Sequence, residues 1–301
     1  MGPRAEATHA PSAGWRRFAA AAAVVAAVVA VALASAAEFR PARAQGLGDL
    51  LIWPTRIVFS GRMRSAEVTL INRGTGPATY RISFENMRMT DEGRLEVIEE
   101  PAADAPFADK FLRYSPRQVV LGPGAEQTVR LLVRKPRDLA RGEYRSHLLF
   151  RAVPPPTTGD DIEALEEGEI RINLIPIYGV SIPVIVRHGE LSASVTISDV
   201  ALRPPRNGQG LPRLFMRLNR SGDASVYGDF KVSFTAAGGT PTDVGLVRGI
   251  AVYTPNQSRT FEFTLQPPEG LKLERGRLEV VYHEPPSQGG SVLATAELRL
   301  P

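Results

Sequence analysis

Ile170–Arg187 reads IRINLIPIYGVSIPVIVR, and the pattern of this stretch decides the fold. Each even-numbered position carries an apolar or ring-bearing side chain: Ile170, Ile172, Leu174, Pro176, Tyr178, Val180, Ile182, Val184 and Val186. The odd positions mix Arg171, Asn173, Gly179, Ser181 and Arg187 with Ile175, Ile177, Pro183 and Ile185. A β-strand with one apolar face alternates in this way, because successive side chains point to opposite sides. At about 3.3 Å per residue the run is more than ~50 Å long, against a common strand of about 5–6 residues. Such a strand serves two sheets in succession or projects past its own. Pro176 and Pro183 have no N–H to donate, which argues against a place bonded to both neighbours throughout. An edge strand with exposed apolar side chains is normally covered. Here it reads as the working part.

Working back from that strand, short alternating segments are separated by Gly, Pro, Asn and Asp. Strands are expected at Leu51–Phe59, Ala66–Asn72, Thr79–Met87, Phe111–Tyr114, Gln118–Leu121, Gln127–Arg134 and Tyr144–Val153. Turn chemistry sits between them, as in Arg73-Gly74-Thr75-Gly76-Pro77 and Gly122-Pro123-Gly124,. Many short strands at this spacing, with no 3.6-residue periodicity after residue 44, predict an all-β sandwich.

Working forward, Glu190 to Pro301 repeats the style, with strands expected near Ser192–Ala201, Arg213–Asn219, Asp229–Phe234, Val247–Tyr253, Thr260–Leu265, Arg277–Tyr282 and Leu293–Leu300. Two echoes suggest duplication. LINRGTGPATYRISF is answered by RLNRSGDASVYGDFKV, each with a Tyr (Tyr80, Tyr227) eight residues after an Asn (Asn72, Asn219). LARGEYRSHLLFRAVPP is answered by LERGRLEVVYHEPP. Two tandem sandwiches are therefore expected, over residues 45–188 and 189–301.

The N-terminus belongs to neither. Arg16 and Arg17 precede an alanine- and valine-rich run from Phe18 to about Ala37, and Ala42-Arg43-Ala44 supplies a small-x-small cleavage pattern. Basic, then apolar, then small is the order of an export signal, here residues 1–44. The alternative is an uncleaved membrane anchor, since the apolar run approaches the about 20 residues that a span requires. The 301 residues carry a formal charge of +4 and no cysteine. An exported chain without cysteine has apolar cores and no disulfides to hold it. Thiol catalysis and Cys-ligated metals are excluded, and the small charge excess gives no nucleic-acid footprint.

At this point the residues resemble a known family, the periplasmic chaperones of chaperone–usher pilus assembly. The likeness lies in WPTRIVF, AEVTLINRG, YSPRQVVLGPGAEQTVRLLV and GEYRSHLLFRAVPP, in that order, and in the long alternating strand closed by an arginine. It covers much of Leu51 to Arg187 and thins in the second domain. The resemblance implies two immunoglobulin-like domains, with the last strand of the first lent to a pilus subunit that lacks a strand of its own. That is β-augmentation, main chain to main chain, with alternate side chains entering the subunit's core.

Residue by residue, the resemblance makes Arg56 the clamp for the subunit's C-terminal carboxylate, which a planar guanidinium fork suits. It places Ile170, Ile172, Leu174 and Tyr178 on the donating part of the strand; the alternative for these four is ordinary packing in their own core, which alternation cannot separate. It pairs Glu143 with Arg187 as an ion pair setting the angle between domains, with no third member placed from the second domain. One departure stands out: the family's second clamp is a lysine four positions before the closing arginine, and this chain has Pro183 there. Either another cation serves, or Arg56 holds the tail alone, or the client differs. The acidic connection PPPTTGDDIEALEEGE (Pro154–Glu169) reads as a solvated loop, and the resemblance implies that it orders when a subunit binds.

Catalytic motifs are sparse. His9, His147, His188 and His283 share no metal-ligand spacing, and neither HExxH nor GxSxG occurs,. Gly74-Thr75-Gly76 is a turn with no helix after it. Glu163, Glu166, Glu167 and Glu169 lack the spacing of a calcium loop. No enzyme, metal or cofactor is expected. The resemblance implies a periplasmic location, pilus or fimbrial subunits and an outer-membrane usher as partners, and allows a self-dimer while no client is bound. The rival is an exported structural or adhesive envelope protein that kept the fold without the clients, and Pro183 and the thin likeness in the second domain favour it.

Overall fold

A computed structural model describes residues 50–102, 104–154, 177–205, 208 and 210–301. The segment read as an export signal, Ile170, Ile172, Leu174 and the connection from residue 155 onward lie outside the described residues. The described chain is built from strands, with two 3-10 turns and no α-helix among the described residues.

The first half holds β1 (Leu50–Trp53), β2 (Ile57–Phe59), β3 (Ser65–Asn72), β4 (Ala78–Glu85), β5 (Met87–Met89) and β6 (Leu95–Val97). After these come β7 (Leu112–Ser115), β8 (Gln118–Leu121), β9 (Glu126–Val133), β10 (Gly142–Val153) and β11 (Gly179–His188). One sheet runs β1-β3-β9-β7 and the facing sheet β2-β11-β10-β4-β8. Between them lies a core that includes Phe59, Val68, Leu70, Tyr80, Leu131, Leu148, Phe150 and Val184. Burial alternates along the strands that face it, as in β3, where Val68, Leu70 and Asn72 turn inward,.

The second half holds β12 (Ala193–Arg203), β13 (Arg213–Gly222), β14 (Val226–Ala236), β15 (Thr242–Val252), β16 (Ser258–Thr264), β17 (Gly276–His283) and β18 (Val292–Leu300). Its sheets run β12-β13-β16 and β15-β14-β17-β18. Leu214, Met216, Leu218, Phe230, Val232, Phe234, Val280 and Tyr282 fill the space between. The two sequence echoes occupy corresponding places. Asn72 and Asn219 lie on β3 and β13, each second in its sheet, while β10 and β17 each lie beside the strand bearing the echoed tyrosine. Asn72 is wholly buried and ties down its turn: its amide donates to the carbonyls of Gly76 (2.8 Å) and Leu121 (3.0 Å). Asn219 is half-buried and donates to Ser198 Oγ at 3.0 Å.

The structure departs from the expected strands in two places. Leu51–Phe59 is not one strand. β1 pairs antiparallel with β3 in one sheet, and β2 pairs parallel with β11 in the other. The chain changes sheets at Pro54-Thr55-Arg56, and the Trp53–Pro54 bond there is cis. Likewise Thr79–Met87 ends at Glu85, and β5 and β6 form a separate two-stranded hairpin. That hairpin reaches the second sandwich: the N–H of Thr260 donates to the carbonyl of Asp91 (2.7 Å), and Asn256 Nδ2 donates to that of Met89 (3.0 Å). Gly93, at the hairpin tip with φ +82°, has no room for a Cβ beside the Arg259 guanidinium.

Candidate functional site: a donor edge and an arginine cleft

β11 follows β10 along its whole length, from His188 opposite Gly142 to Gly179 opposite Arg151. Its other edge is used far less. β2 covers only Val184, Ile185 and Val186. Pro183 faces His147 across the ladder and lies outside the β2 pairing, so its missing N–H leaves no bond unmade on that side,. The strand is therefore central for three residues and an edge for the remainder. Burial changes a little further out along the strand. Ile182, Val184 and Val186 belong to the first core, whereas Val180 is 43% exposed, and Tyr178 and Ile177 are each 56% exposed. The apolar face outruns the core that it begins in. Tyr178, expected on the donating part, stands in the open and its carbonyl accepts from the N–H of Ala152 (2.9 Å).

Ile185, on the opposite face, is wholly buried with Met89, Ala251 and Tyr253, a small cluster drawn from both sandwiches. Beneath it the junction is polar. Glu143 and Arg187 are cross-strand partners, and Arg187 Nε donates to Glu143 Oε2 at 3.0 Å. Both belong to the first sandwich, so the pair itself does not span the junction. What spans it is Ser225: its N–H donates to Glu143 Oε2 (3.0 Å), its hydroxyl donates to Oε1, and its carbonyl accepts from Arg187 Nη2 (3.0 Å). Ser225 is the second-domain member that the sequence did not place. Nothing in Asp223-Ala224-Ser225 distinguishes that serine from any other turn serine.

Two further junction residues were also missed. Arg145 is buried, donates to the carbonyls of Met87 (3.1 Å) and Thr254 (3.4 Å), and lies 4.1 Å from the centre of the Tyr253 ring. Burial pushes its pKa down to about 10, against the pull of Tyr253 and Glu143, so it remains a cation at neutral pH,. His147 is wholly buried, with neither ring nitrogen hydrogen-bonded, and its pKa is driven down to about 3, first by burial and then by Arg145. Both alternate with core residues on β10, so their side chains leave the first core and meet the junction.

Arg56 sits at the crossover between sheets, at the mouth of the same junction. Its guanidinium lies 4.5 Å from the Tyr227 ring centre and 5.5 Å from that of Tyr253, and Nη1 is 3.4 Å from the Tyr253 hydroxyl. Its Nε is buried without a hydrogen-bond partner. It lines a cleft of about 590 Å³ together with Pro183, Tyr227, Asp229, Arg248 and Tyr253. Burial raises the pKa of the Tyr227 phenol above its ordinary value, so that it stays neutral at neutral pH. Among the described residues no group of three or more His, Asp or Glu is placed to hold a metal ion.

No family model and no curated protein matches the sequence. Solved structures do. The chain is 14% identical to the YadV chaperone, over 84% of this chain and 100% of that one, with a TM-score of 0.42. It is 13% identical to the Pseudomonas aeruginosa CupB2 chaperone, over 83% and 100%, with a TM-score of 0.42. The chain is similar to pilus chaperones. A third such structure is the CsuC–CsuE chaperone–tip adhesion subunit complex of Acinetobacter baumannii, at 12% identity over 83% of this chain and 97% of that one (TM-score 0.40). At such identities and TM-scores the likeness carries no functional weight, which falls to the residues of the edge and the cleft.

Proposed function

We propose that the protein is an exported assembly chaperone. It binds an incomplete immunoglobulin-like pilus or fimbrial subunit along the free edge of β11 and hands it to an outer-membrane usher. The observation that carries this reading is the mismatch along β11, where an apolar face and an open edge continue past the end of the strand's own core. Ile170, Ile172 and Leu174 extend the same alternation in the sequence upstream of Tyr178 and would enter the client with it. Each Ile, Leu or Val buried in the client is worth about 1.5–3 kcal/mol, and each main-chain bond about 0.5–1.5 kcal/mol net. A handful of anchors therefore stabilises a subunit that cannot close its own core. Arg56 would hold the client's C-terminal carboxylate, and the Glu143–Arg187–Ser225 network would keep the two sandwiches at the angle that shapes the cleft. The client's final folding would supply the driving force, with no cofactor.

Affinity purification of the tagged protein from periplasm, followed by mass spectrometry, tests this. A small β-rich subunit should co-purify. Val180→Asp places a charge where the client's core would close, and should reduce recovery about tenfold or more. Arg56→Ala should do the same by removing a charge-assisted bond. Val180 is exposed and Arg56 partly so, and neither belongs to a core, so circular dichroism should show a folded protein in each case. Recovery unchanged by both variants, or no subunit at all, would favour the envelope-protein reading.

A further inference from the structure

We propose that Arg248, on the second sandwich, is the second cation of a carboxylate-binding site whose first cation is Arg56. The inference rests on the reading of Arg56 as a clamp, and it concerns the wall opposite. Position 183, on the first sandwich, carries a proline there, with neither charge nor N–H to offer.

The backbone brings Arg248 to this place. In the β14–β15 ladder Gly228 pairs with Ile250 and Phe230 with Val247, so Asp229 alone faces both Arg248 and Gly249. This is a β-bulge, the device that bends a strand locally and re-aims a side chain. Gly249 takes φ +76°, and its N–H donates to Asp229 Oδ1 at 2.9 Å, which fixes the bulge. Arg248 is exposed, and it lines the cleft of about 590 Å³ shared with Arg56.

The charges are compensated only in part. Among the described residues neither Arg56 nor Arg248 forms an ion pair. Arg56 carries a buried Nε without a partner, and its one hydrogen bond, to the Tyr253 hydroxyl, is long at 3.4 Å. The cleft's own carboxylate, Asp229, is 5% exposed and bonded to the bulge. Two guanidinium groups against one carboxylate leave a single positive charge over. A free C-terminal carboxylate is a monoanion with two oxygens, and planar guanidinium forks donate to such a group in paired bonds. Tyr227, whose ring lies under Arg56, forms an apolar floor that strengthens charge pairing by excluding water,.

The test uses the full-length protein and a fluorescein-labelled peptide of alternating valine and threonine, made with a free C-terminal carboxylate and again as the C-terminal amide. Anisotropy titrations give the two affinities. The parent should prefer the acid by about 10- to 100-fold. Arg248→Ala should lower that preference about tenfold while leaving the amide's affinity unchanged, and Arg248→Lys should restore part of it. Full acid preference in Arg248→Ala, alongside its loss in Arg56→Ala, would overturn the role of Arg248 and leave the clamp at Arg56 standing. A parent that does not distinguish acid from amide, or binds neither, would overturn the carboxylate site and the clamp together.

Discussion

Glu143→Ala should destabilise the protein by about 3–5 kcal/mol, the usual cost of removing one partner from a buried charge pair. The Glu143 side chain has no exposed surface, while Arg187 keeps 30% of its own. Besides Arg187, the carboxylate accepts from the Ser225 N–H and hydroxyl and lies 3.4 Å from the Thr254 hydroxyl. Alanine leaves the buried Ser225 N–H without an acceptor and takes from half-buried Arg187 its only carboxylate, leaving it the Ser225 carbonyl, which is worse than never having had the pair,. Because the donors come from both sandwiches, the loss falls on the junction as well as on β10. Glu143→Gln keeps an acceptor oxygen in place and should cost less. Urea titration followed by circular dichroism measures both, and an alanine variant within about 1 kcal/mol of the parent would refute the network's importance. By contrast Arg141–Asp223, also across the junction at 2.7 Å, has both partners well exposed and is worth only about 0–1 kcal/mol,.

Acid should weaken the fold through His147. Its pKa is held near 3 in the folded protein, against about 6.5 in the unfolded chain,. Above pH 6.5 both states are neutral there, and the residue adds no pH dependence. Below it the unfolded chain takes up a proton that the folded one refuses, so stability is lost as pH falls and continues to fall until about pH 3. The folded-to-unfolded ratio should drop about tenfold per pH unit across that window from this residue alone. His147→Leu removes the titrating group and two unbonded ring nitrogens from a site with no exposed surface. Its stability at pH 7 should equal or exceed that of the parent. The difference between the two proteins, from urea titrations at pH 7, 6, 5 and 4, should widen steadily toward acid. Parallel curves would show that His147 is protonated in the folded state or reached by solvent.

Much of the site was legible in the residues because it depends on local chemistry. Period-two alternation in Tyr178–Val186 marks a strand with an apolar face whatever surrounds it, and prolines at 176 and 183 bias it toward an edge. What the pattern cannot say is which apolar residues are covered by their own protein. Ile182 and Val180 read alike in sequence, yet one is buried and the other 43% exposed. The difference arises from where the first core ends along β11, a matter of tertiary packing. Arg56 is singled out by its Trp-Pro-Thr-Arg neighbourhood, but its position at a change of sheets is not, since WPTRIVF reads as unbroken strand.

The remaining residues of the junction carry no sequence signal of their own. Ser225 is an ordinary turn serine until Glu143 arrives from 82 positions away. Arg145 and His147 look like interruptions in an apolar strand, and only the second sandwich closing over them makes them buried. Arg248 depends on a one-residue bulge, invisible in Val247-Arg248-Gly249-Ile250 because glycine marks many kinds of turn. The sequence by itself determined the all-β class, the tandem style and the long alternating strand, since these follow from side-chain periodicity and turn residues along the chain. Tertiary structure alone decided which edge stays open, how the two sandwiches bond and which two arginines line one cleft, because those depend on distances between residues that no spacing along the chain encodes.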